Sequence, residues 1–305
     1  MNKYYCIVAP AKLNLNLFVT GKNREGYHLL KSDVCFLELT DKIYIKRHNK
    51  DVFYQTTTKN SLTIDPNDNL IFKAIEKFRL FTKWDQKFKI YLDKKIPIGA
   101  GLGGGSADAA ASLLLLRKLY NNDYKNKKIE LSTLYKIGIK LGSDVPACLK
   151  SKDLRLEGYG DKITKIKISN DYYFLLINPN ISLSTKDVFN NFSNSKFKET
   201  KIANTSFGNI NIHNSLLSSA IDLAPQISNL LLYLKQSSSI IAYGMTGSGS
   251  TCFGIFKNIN EIYIFLESFN KHFNSNYFIW YGKKRDYNMN RIRSSKTLEN
   301  IVEIM

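Results

Sequence analysis

The chain has 305 residues, of which 44% are hydrophobic and 23% are charged, a composition that favours a globular protein with a sizeable core. Its formal net charge of +18 at pH 7 raises the question of a polyanionic partner, because phosphate neutralisation drives nucleic-acid binding. The basic residues are scattered, without an arginine-rich tract or a stacking pattern of aromatic residues, so we expect no nucleic-acid partner.

The sequence also argues against membrane insertion and against a disulfide framework. No uncharged apolar run approaches the length of a membrane span, and the N-terminus lacks a signal-type apolar segment. We therefore expect a cytoplasmic protein without a membrane partner. No Cys-x-x-Cys pair or metal-ligand spacing is present, so reduced, half-buried thiols are expected at Cys6, Cys35, Cys148 and Cys252.

Hydrophobic periodicity predicts alternating strands and helices in the first half of the chain. The alternation of Leu13, Leu15, Leu17 and Val19 with polar residues predicts a strand that leaves through a turn at residues 21–26. Further strands are expected at residues 34–39, 42–46 and 88–92, and helices at residues 69–81 and 132–141. A third helix is expected to follow the glycine-rich segment and to run through about residue 120.

The pattern of predicted elements changes beyond residue 158, which predicts a second domain. We expect strands at residues 172–177, 240–243, 251–256 and 277–281, and helices at residues 185–192, 224–234 and 261–272. Residues 193–214 are polar and predict a long loop, and the basic tail from Lys283 is expected to be loosely held. The prediction is an α+β protein with domains at residues 1–158 and 159–285 and a tail at 286–305.

A glycine run ahead of an alanine-rich helix predicts a phosphate-binding loop. Glycines let backbone N–H groups approach an anion, and the helix N-terminus adds unsatisfied donors. The dinucleotide pattern Gly99-x-Gly101-x-x-Gly104 is present, but Pro97 stands where that motif needs a strand. Gly105 occupies the lysine position of a Walker loop, so that motif does not match either. An ordinary connector between two elements is the remaining alternative. The loop consists of Pro97, Ile98, Gly99, Ala100, Gly101, Leu102, Gly103, Gly104, Gly105, Ser106 and Ala107.

Three further motifs, at residues 9–15, 141–146 and 245–250, accompany this loop in a fixed order. Together the four motifs resemble those of the GHMP kinase superfamily, which includes homoserine and mevalonate kinases. The resemblance implies two domains, an N-terminal half like ribosomal protein S5 domain 2 and a ferredoxin-like α/β C-terminal half. Ala100 replaces a common glycine and Ser143 a common alanine, and both departures are small.

The turn ending Gly26-Tyr27-His28 and the segment 185–189 narrow the resemblance. They are similar to the superfamily members whose acceptor is a cytidine diphosphate-linked methylerythritol. This implies ATP-dependent phosphorylation of the 2-hydroxyl of that alcohol, in non-mevalonate isoprenoid biosynthesis. Kinases of mevalonate, phosphomevalonate or homoserine are the alternative within the superfamily, and a basic RNA-binding module is the alternative outside it.

The resemblance also assigns roles to individual residues. Asp144 would accept the proton of the substrate hydroxyl or orient it, and Lys12 would contact Asp144 and the transferred phosphate. The glycine loop would hold ATP, and Ser106 would bind a Mg²⁺-bridged phosphate or cap the helix. The substrate would be held by Asn14, Tyr27, His28, Thr185, Phe189, Gly247, Ser248 and Gly249. A monomer or a homodimer with small-molecule substrates is expected.

Overall fold

The computed structural model describes residues 4–23, 26, 28–56, 69–192, 205–273, 276–287 and 292–295. The strands of these residues are β1 (Tyr4–Asn14), β2 (Phe18–Lys22), β3 (His28–His48), β4 (Val52–Thr56), β5 (Lys87–Asp93), β6 (Leu154–Gly158), β7 (Lys162–Lys165), β8 (Tyr173–Asn178), β9 (Thr205–Phe207), β10 (Ile210–Ile212), β11 (Ala242–Met245), β12 (Cys252–Phe256), β13 (Phe278–Lys283) and β14 (Ile292–Ser295). The helices are α1 (Leu70–Thr82), α2 (Gly104–Asp123), α3 (Leu131–Ile139), α4 (Val145–Lys150), α5 (Thr185–Asn191), α6 (Leu217–Leu223), α7 (Gln226–Gln236) and α8 (Ile259–His272).

The first sheet has the order β14-β1-β3-β5-β4, with β2 and β6 paired to the beginning of β3 and β7 paired to β6. Strand β3 is continuous where two strands were predicted, because Thr40 and Asp41 stay paired with Pro10 and Ala9 of β1. The predicted strand over residues 13–19 is wrong, since β1 ends at Asn14 and β2 begins at Phe18. Between them Leu17 turns away and its backbone pairs with the C-terminal half.

Helices α1 and α2 cover one face of the first sheet and enclose its core. The side chain of Asn69 caps α1 by accepting a hydrogen bond of 2.9 Å from the backbone N–H of Ile71. The alanines at positions 107 and 109–111 of α2 are fully buried against this core, where small side chains let the helix approach closely. The glycine loop thus leads into a helix that is fixed along its length.

The second sheet is antiparallel, with the order β11-β12-β8-β13, and helices α5 to α8 pack against it. Residues 205–212 form the hairpin β9-β10 inside the region predicted as a loop, because Phe207 and Ile212 are buried against the sheet. Residues 193–204 of that region lie outside the described residues. The structure therefore has the α+β organisation that the sequence predicts, with a sheet and helices in each half.

The expectation of a loosely held tail from Lys283 is wrong for the residues that the structure describes there. Lys284 is 5% exposed, and its ammonium group donates to Asp153 Oδ2. The hydroxyl of Tyr287 donates to the other oxygen of Asp153 at 2.5 Å. Strand β14 then pairs with β1, so chain beyond residue 286 completes the first sheet. The domain division at residue 158 remains a prediction.

The thiols are more deeply buried than expected. Cys35, Cys148 and Cys252 are buried and Cys6 is partly exposed, and none of these four cysteines is in a disulfide. Burial raises the pKa of the thiols of Cys35 and Cys252. Within the described part of the chain, no helix is both long and apolar enough to cross a membrane.

Two glycine turns join the halves of the molecule. Gly101 in the first turn and Gly247 in the second have φ angles of +74° and +58°. A Cβ atom on Gly101 would lie 2.3 Å from the carbonyl oxygen of Thr246, and one on Gly247 would lie 2.6 Å from the carbonyl oxygen of Gly101. The turns therefore pack backbone against backbone, a contact that only glycine permits.

Replacing Gly101 separates this packing requirement from backbone strain. We expect Gly101→Ala to lower the free energy of unfolding by about 1–3 kcal/mol more than Gly208→Ala does, because overpacking adds to the strain of a positive φ. Gly208 is the matched control, since its φ is +57° and nothing lies within 4 Å of the position that a Cβ would take there. Urea unfolding of both variants measures the difference, and equal losses would contradict the packing argument.

Candidate active site

A cavity of about 350 Å³ lies at the junction of the two halves. This volume suits a small-molecule site. Of the predicted residues that the structure describes, Ala107, Gly249 and His28 do not line it, although the His28 ring lies 4.9 Å from the ring of Phe189, which does. Tyr27 lies outside the described residues. The structure brings the following predicted residues together in the lining: Lys12, Asn14, Pro97, Ile98, Gly99, Ala100, Gly101, Leu102, Gly103, Gly104, Gly105, Ser106, Asp144, Thr185, Phe189, Gly247 and Ser248.

Lys12 and Asp144 form an ion pair at the wall of the cavity. The distance from Lys12 Nζ to Asp144 Oδ2 is 2.7 Å, and their side chains are 5% and 33% exposed. Asp144 directly precedes α4, but its side chain makes no capping hydrogen bond there. The carboxylate is therefore held by the lysine and remains accessible from the cavity.

The pairing of β1 is irregular just before Lys12. The register between β1 and β3 shifts between Pro10 and Lys12, and such an irregularity re-aims the side chains that follow. The backbone N–H of Lys12 donates to the carbonyl oxygen of Leu102 in the glycine loop at 2.9 Å. A Cβ on Gly103 would lie 3.2 Å from Lys12 Cε, so glycine leaves the space that the lysine crosses. The loop and the ion pair thus form one unit.

The glycine loop has the geometry of an anion site. Gly99, Gly101 and Gly103 have φ angles of +65°, +74° and +64°, and Gly103 is the N-cap of α2 without a side-chain cap. The first backbone N–H groups of α2 therefore have no intrahelical acceptor, and the helix dipole favours negative charge beside them. Ser106 is inside the helix, so its expected capping role is wrong, and its hydroxyl lines the cavity.

A buried ionic cluster behind the loop was not predicted from the sequence. Lys94 Nζ lies 2.5 Å from Asp41 Oδ2 and 2.7 Å from Asp108 Oδ2, and all three residues are at least nine-tenths buried. The other oxygen of Asp41 accepts hydrogen bonds from the backbone N–H groups of Lys95 and Ile96. The cluster therefore ties β3 to the chain on both sides of the loop. Asp108 lies in the second turn of α2, because the helix begins at Gly104.

His28 and Phe189 lie together beside the cavity. Their ring centroids are 4.9 Å apart, and His28 Nε2 is buried without a hydrogen-bond partner among the described residues. Burial, with a smaller contribution from the charge of Lys22, lowers the pKa of His28. This shift favours the neutral ring, which offers one donor and one acceptor.

The second glycine turn closes the opposite wall. Asn214 Nδ2 donates to the carbonyl oxygens of Met245 and Gly247 at 2.9 Å each. The hydroxyls of Thr185 and Ser248 lie 3.1 Å apart on the cavity side. The turn links β11 to β12, and its residues Gly247 and Ser248 also line the cavity.

The cavity lining includes residues that were not predicted as site residues from the sequence, among them Ser32, Lys94, Tyr159 and Gly160. Lys94 is one of many lysines in this chain, and Ser32 is an ordinary residue within an extended segment. A polar residue flanked by apolar strand segments, such as Asp41, is the signal that could have revealed the buried cluster.

Two family models match the chain. The model for the GHMP kinases N terminal domain matches residues 69–152, and the model for GHMP kinases C terminal matches residues 198–275. Among solved structures, a 4-(cytidine 5'-diphospho)-2C-methyl-D-erythritol kinase aligns with a TM-score of 0.71 at 24% identity, covering 91% of this chain and 98% of that chain. A homoserine kinase from Cytophaga hutchinsonii aligns with a TM-score of 0.66 at 16% identity, covering 96% and 97%. The fold and the family models together define the class as a GHMP kinase.

Curated relatives narrow this class. A protein of Clostridium tetani named 4-diphosphocytidyl-2-C-methyl-D-erythritol kinase is 34% identical over 260 residues, covering 82% of this chain and 90% of that protein. A protein of the same name from Prochlorococcus marinus is 33% identical over 295 residues, covering 90% and 92%. This chain therefore belongs to the 4-diphosphocytidyl-2-C-methyl-D-erythritol kinase family.

The buried cluster predicts a pH-dependent stability. Burial raises the pKa of Asp108 from 3.8 to about 8, with a further upward contribution from Asp41 that opposes the effect of Lys94. Between these values the native state binds a proton that the unfolded chain has released, so stability falls as pH rises. The slope is at most about 1.4 kcal/mol per pH unit.

We expect Asp108→Asn to flatten this slope between pH 5 and 7.5, because the amide cannot release a proton. Urea unfolding of the wild type and the variant at several pH values measures the slopes. Asp123→Asn, at the exposed end of the same helix, is the control and should leave the slope unchanged. Parallel curves for the wild type and Asp108→Asn would contradict the assignment.

Proposed function

We propose that this chain transfers the γ-phosphoryl group of ATP to the 2-hydroxyl of 4-diphosphocytidyl-2-C-methyl-D-erythritol. The products are the 2-phosphate and ADP, a step of the non-mevalonate route to isopentenyl diphosphate. The observation that carries the proposal is the Lys12–Asp144 pair, which lines the same cavity as the glycine loop. The ring of Phe189 forms an aromatic wall of that cavity. The names of the curated relatives support the choice of substrate.

Asp144 is the group that receives or orients the hydroxyl proton. As the oxygen of the substrate bonds to the γ-phosphorus, the bond from that phosphorus to the bridging oxygen of ADP breaks, and the hydroxyl proton passes to the Asp144 carboxylate. Lys12 holds this carboxylate at 2.7 Å and offsets the charge on the transferred group. Direct transfer needs no phosphoenzyme, since positioning and charge stabilisation suffice for phosphoryl transfer.

The glycine loop and the N-terminus of α2 would hold the ATP phosphates. Ser106 and Asp144 supply oxygen donors to the same cavity, and oxygen is the ligand atom that Mg²⁺ prefers, so these residues fit the ion. When bound, Mg²⁺ would neutralise charge on the β- and γ-phosphates. The backbone of Gly247 and Ser248 would face the diphosphate of the substrate on the opposite wall.

The aromatic wall would receive the cytosine ring. Phe189 offers a ring face for stacking, and His28 offers an unpartnered polar edge beside it. Tyr27, the second stacking residue predicted from the sequence, lies outside the described residues and keeps that role as a proposal.

The remaining expectations belong to the same proposal. The protein would act on small molecules in the cytoplasm, as a monomer or homodimer, without a nucleic-acid partner. In a kinase of mevalonate, phosphomevalonate or homoserine the substrate would offer no nucleobase to hydrogen-bond with His28, because those alcohols carry none. An RNA-binding module would give no special role to the Lys12–Asp144 pair.

Removing either member of the ion pair tests the chemistry. We expect Asp144→Asn and Lys12→Met each to lower kcat by at least about 10²-fold, because general-base and electrostatic assistance are lost. ADP release with ATP, Mg²⁺ and the cytidylated alcohol measures the effect. Lys271→Met is the control, since Lys271 is 75% exposed in a surface pair with Glu267.

The same assay with mevalonate and homoserine in parallel separates the alternatives. Turnover of one of these alcohols, but not of the cytidylated one, would reject the proposed substrate and keep the kinase class. Binding of ATP without turnover of any alcohol would reject the proposed reaction.

Phe189→Leu tests the role of the aromatic wall in cytosine binding while keeping an apolar side chain at this position. We expect KM for the cytidylated alcohol to rise at least about fivefold with KM for ATP unchanged, because base stacking is lost. Phe192→Leu is the matched control, since Phe192 also contacts His28, at 5.8 Å, but does not line the cavity. Steady-state kinetics and inhibition by CMP provide the readouts, and an equal effect of both variants would contradict the assignment.

A further inference from the structure

One residue of the cavity lining has a buried polar atom without a hydrogen-bond partner among the described residues. Asn14 is 3% exposed and lines the cavity, and its Oδ1 makes no hydrogen bond to any described residue. The backbone N–H and the side-chain NH₂ group of the same residue each donate one hydrogen bond. The backbone N–H donates to Thr246 Oγ1 at 2.9 Å, and the side-chain Nδ2 donates to Ser32 Oγ at 2.7 Å. An orphaned buried carbonyl is costly unless a ligand satisfies it.

Ser32 determines the orientation of the Asn14 amide. Its hydroxyl has one proton, and that proton is donated to the backbone carbonyl oxygen of Asn16, which can only accept. Toward Asn14 the Ser32 oxygen can therefore only accept, so it requires the NH₂ end of the amide. The amide oxygen of Asn14 therefore points away from Ser32. A reversed amide would place two acceptors against each other.

Asn16, whose backbone carbonyl oxygen accepts the Ser32 proton, is itself held in place by its side chain. Asn16 Oδ1 accepts from the backbone N–H of Asp33 at 2.6 Å, and Asn16 Nδ2 donates to Asp33 Oδ2 at 3.1 Å. Arg155 holds the same carboxylate through two hydrogen bonds of 2.7 and 2.9 Å. The relay from Asn16 through Ser32 to Asn14 is therefore buried and anchored at its far end.

We infer that Ser32 is a positioning residue that presents the Asn14 carbonyl to the cavity as an obligate hydrogen-bond acceptor. The inference rests on the proposed function, because the donor that the carbonyl would take is a free hydroxyl of the acceptor alcohol. Asn14 lies two residues from Lys12 on β1, so such a hydroxyl would lie close to the phosphoryl-transfer centre. An alcohol with a donor at this point is favoured over a phosphate dianion, which has only lone pairs to offer.

A double-mutant cycle tests whether Ser32 acts through Asn14. We expect Ser32→Ala to lower kcat/KM for the alcohol about ten- to a hundredfold, with KM for ATP changed less than about twofold. In an Asn14→Ala background, Ser32→Ala should change kcat/KM less than about twofold, because the group that it positions is gone. Ser112→Ala is the matched control, since Ser112 is also a fully buried serine, with an unpartnered hydroxyl on α2 among the described residues.

A second readout is independent of turnover. The ¹⁵N side-chain amide signal of Asn14, assigned by its loss in Asn14→Ala, should exchange with water at least about tenfold faster in Ser32→Ala. The backbone amide of Asn14 should be unaffected, since Thr246 holds it.

The two readouts separate the possible failures. Losses that add in the cycle, or unchanged side-chain exchange in Ser32→Ala, would overturn the positioning role. A wild-type protein that turns over none of the cytidylated alcohol would reject the proposed function, and the exchange measurement would still decide the role of Ser32.

Discussion

The backbone contact between the two glycine turns is the constraint on which the site depends. Gly101 and Gly247 approach so closely that a Cβ on either would overlap the other turn. This contact brings the glycine loop of the first half against the wall of the second half. The same first turn carries Leu102, which fixes the backbone of Lys12. The cavity, the ion pair and the junction of the halves are therefore consequences of one close approach.

Three buried lysines of the described chain are each neutralised by aspartate. Lys12 pairs with Asp144, Lys94 with Asp41 and Asp108, and Lys284 with Asp153. Each pair joins segments far apart in sequence, and breaking such a pair leaves an uncompensated buried charge. Lys12 connects β1 to the residue that precedes α4, and Lys94 connects the chain ahead of the glycine loop to β3 and α2. Lys284 connects the C-terminal chain to the N-terminal half. Among the many basic residues of this protein, these three lysines thus have defined structural partners.

Motifs that specify backbone geometry could be predicted from the sequence. The glycine loop followed from its run of glycines ahead of a helix, since few other residues fit such a turn. The meeting of Lys12 with Asp144 followed from the family resemblance. The Asp41–Lys94–Asp108 cluster could not be predicted, because its members are ordinary residues until the fold brings them together. The break after Asn14 was missed because a period-two pattern does not report which half of the molecule a segment pairs with. The roles of the site residues remain predictions.

The pairing of β14 with β1 affects how this chain can fold during synthesis. The N-terminal half acquires its last strand only after the whole C-terminal half has been made, since β14 begins at Ile292. Until then β1 is an open sheet edge, and the carboxylate of Asp153 lacks Lys284 and Tyr287. An isolated N-terminal fragment would therefore carry an unpaired edge and a buried charge without its counter-ion. The two halves are separate in architecture but not in assembly.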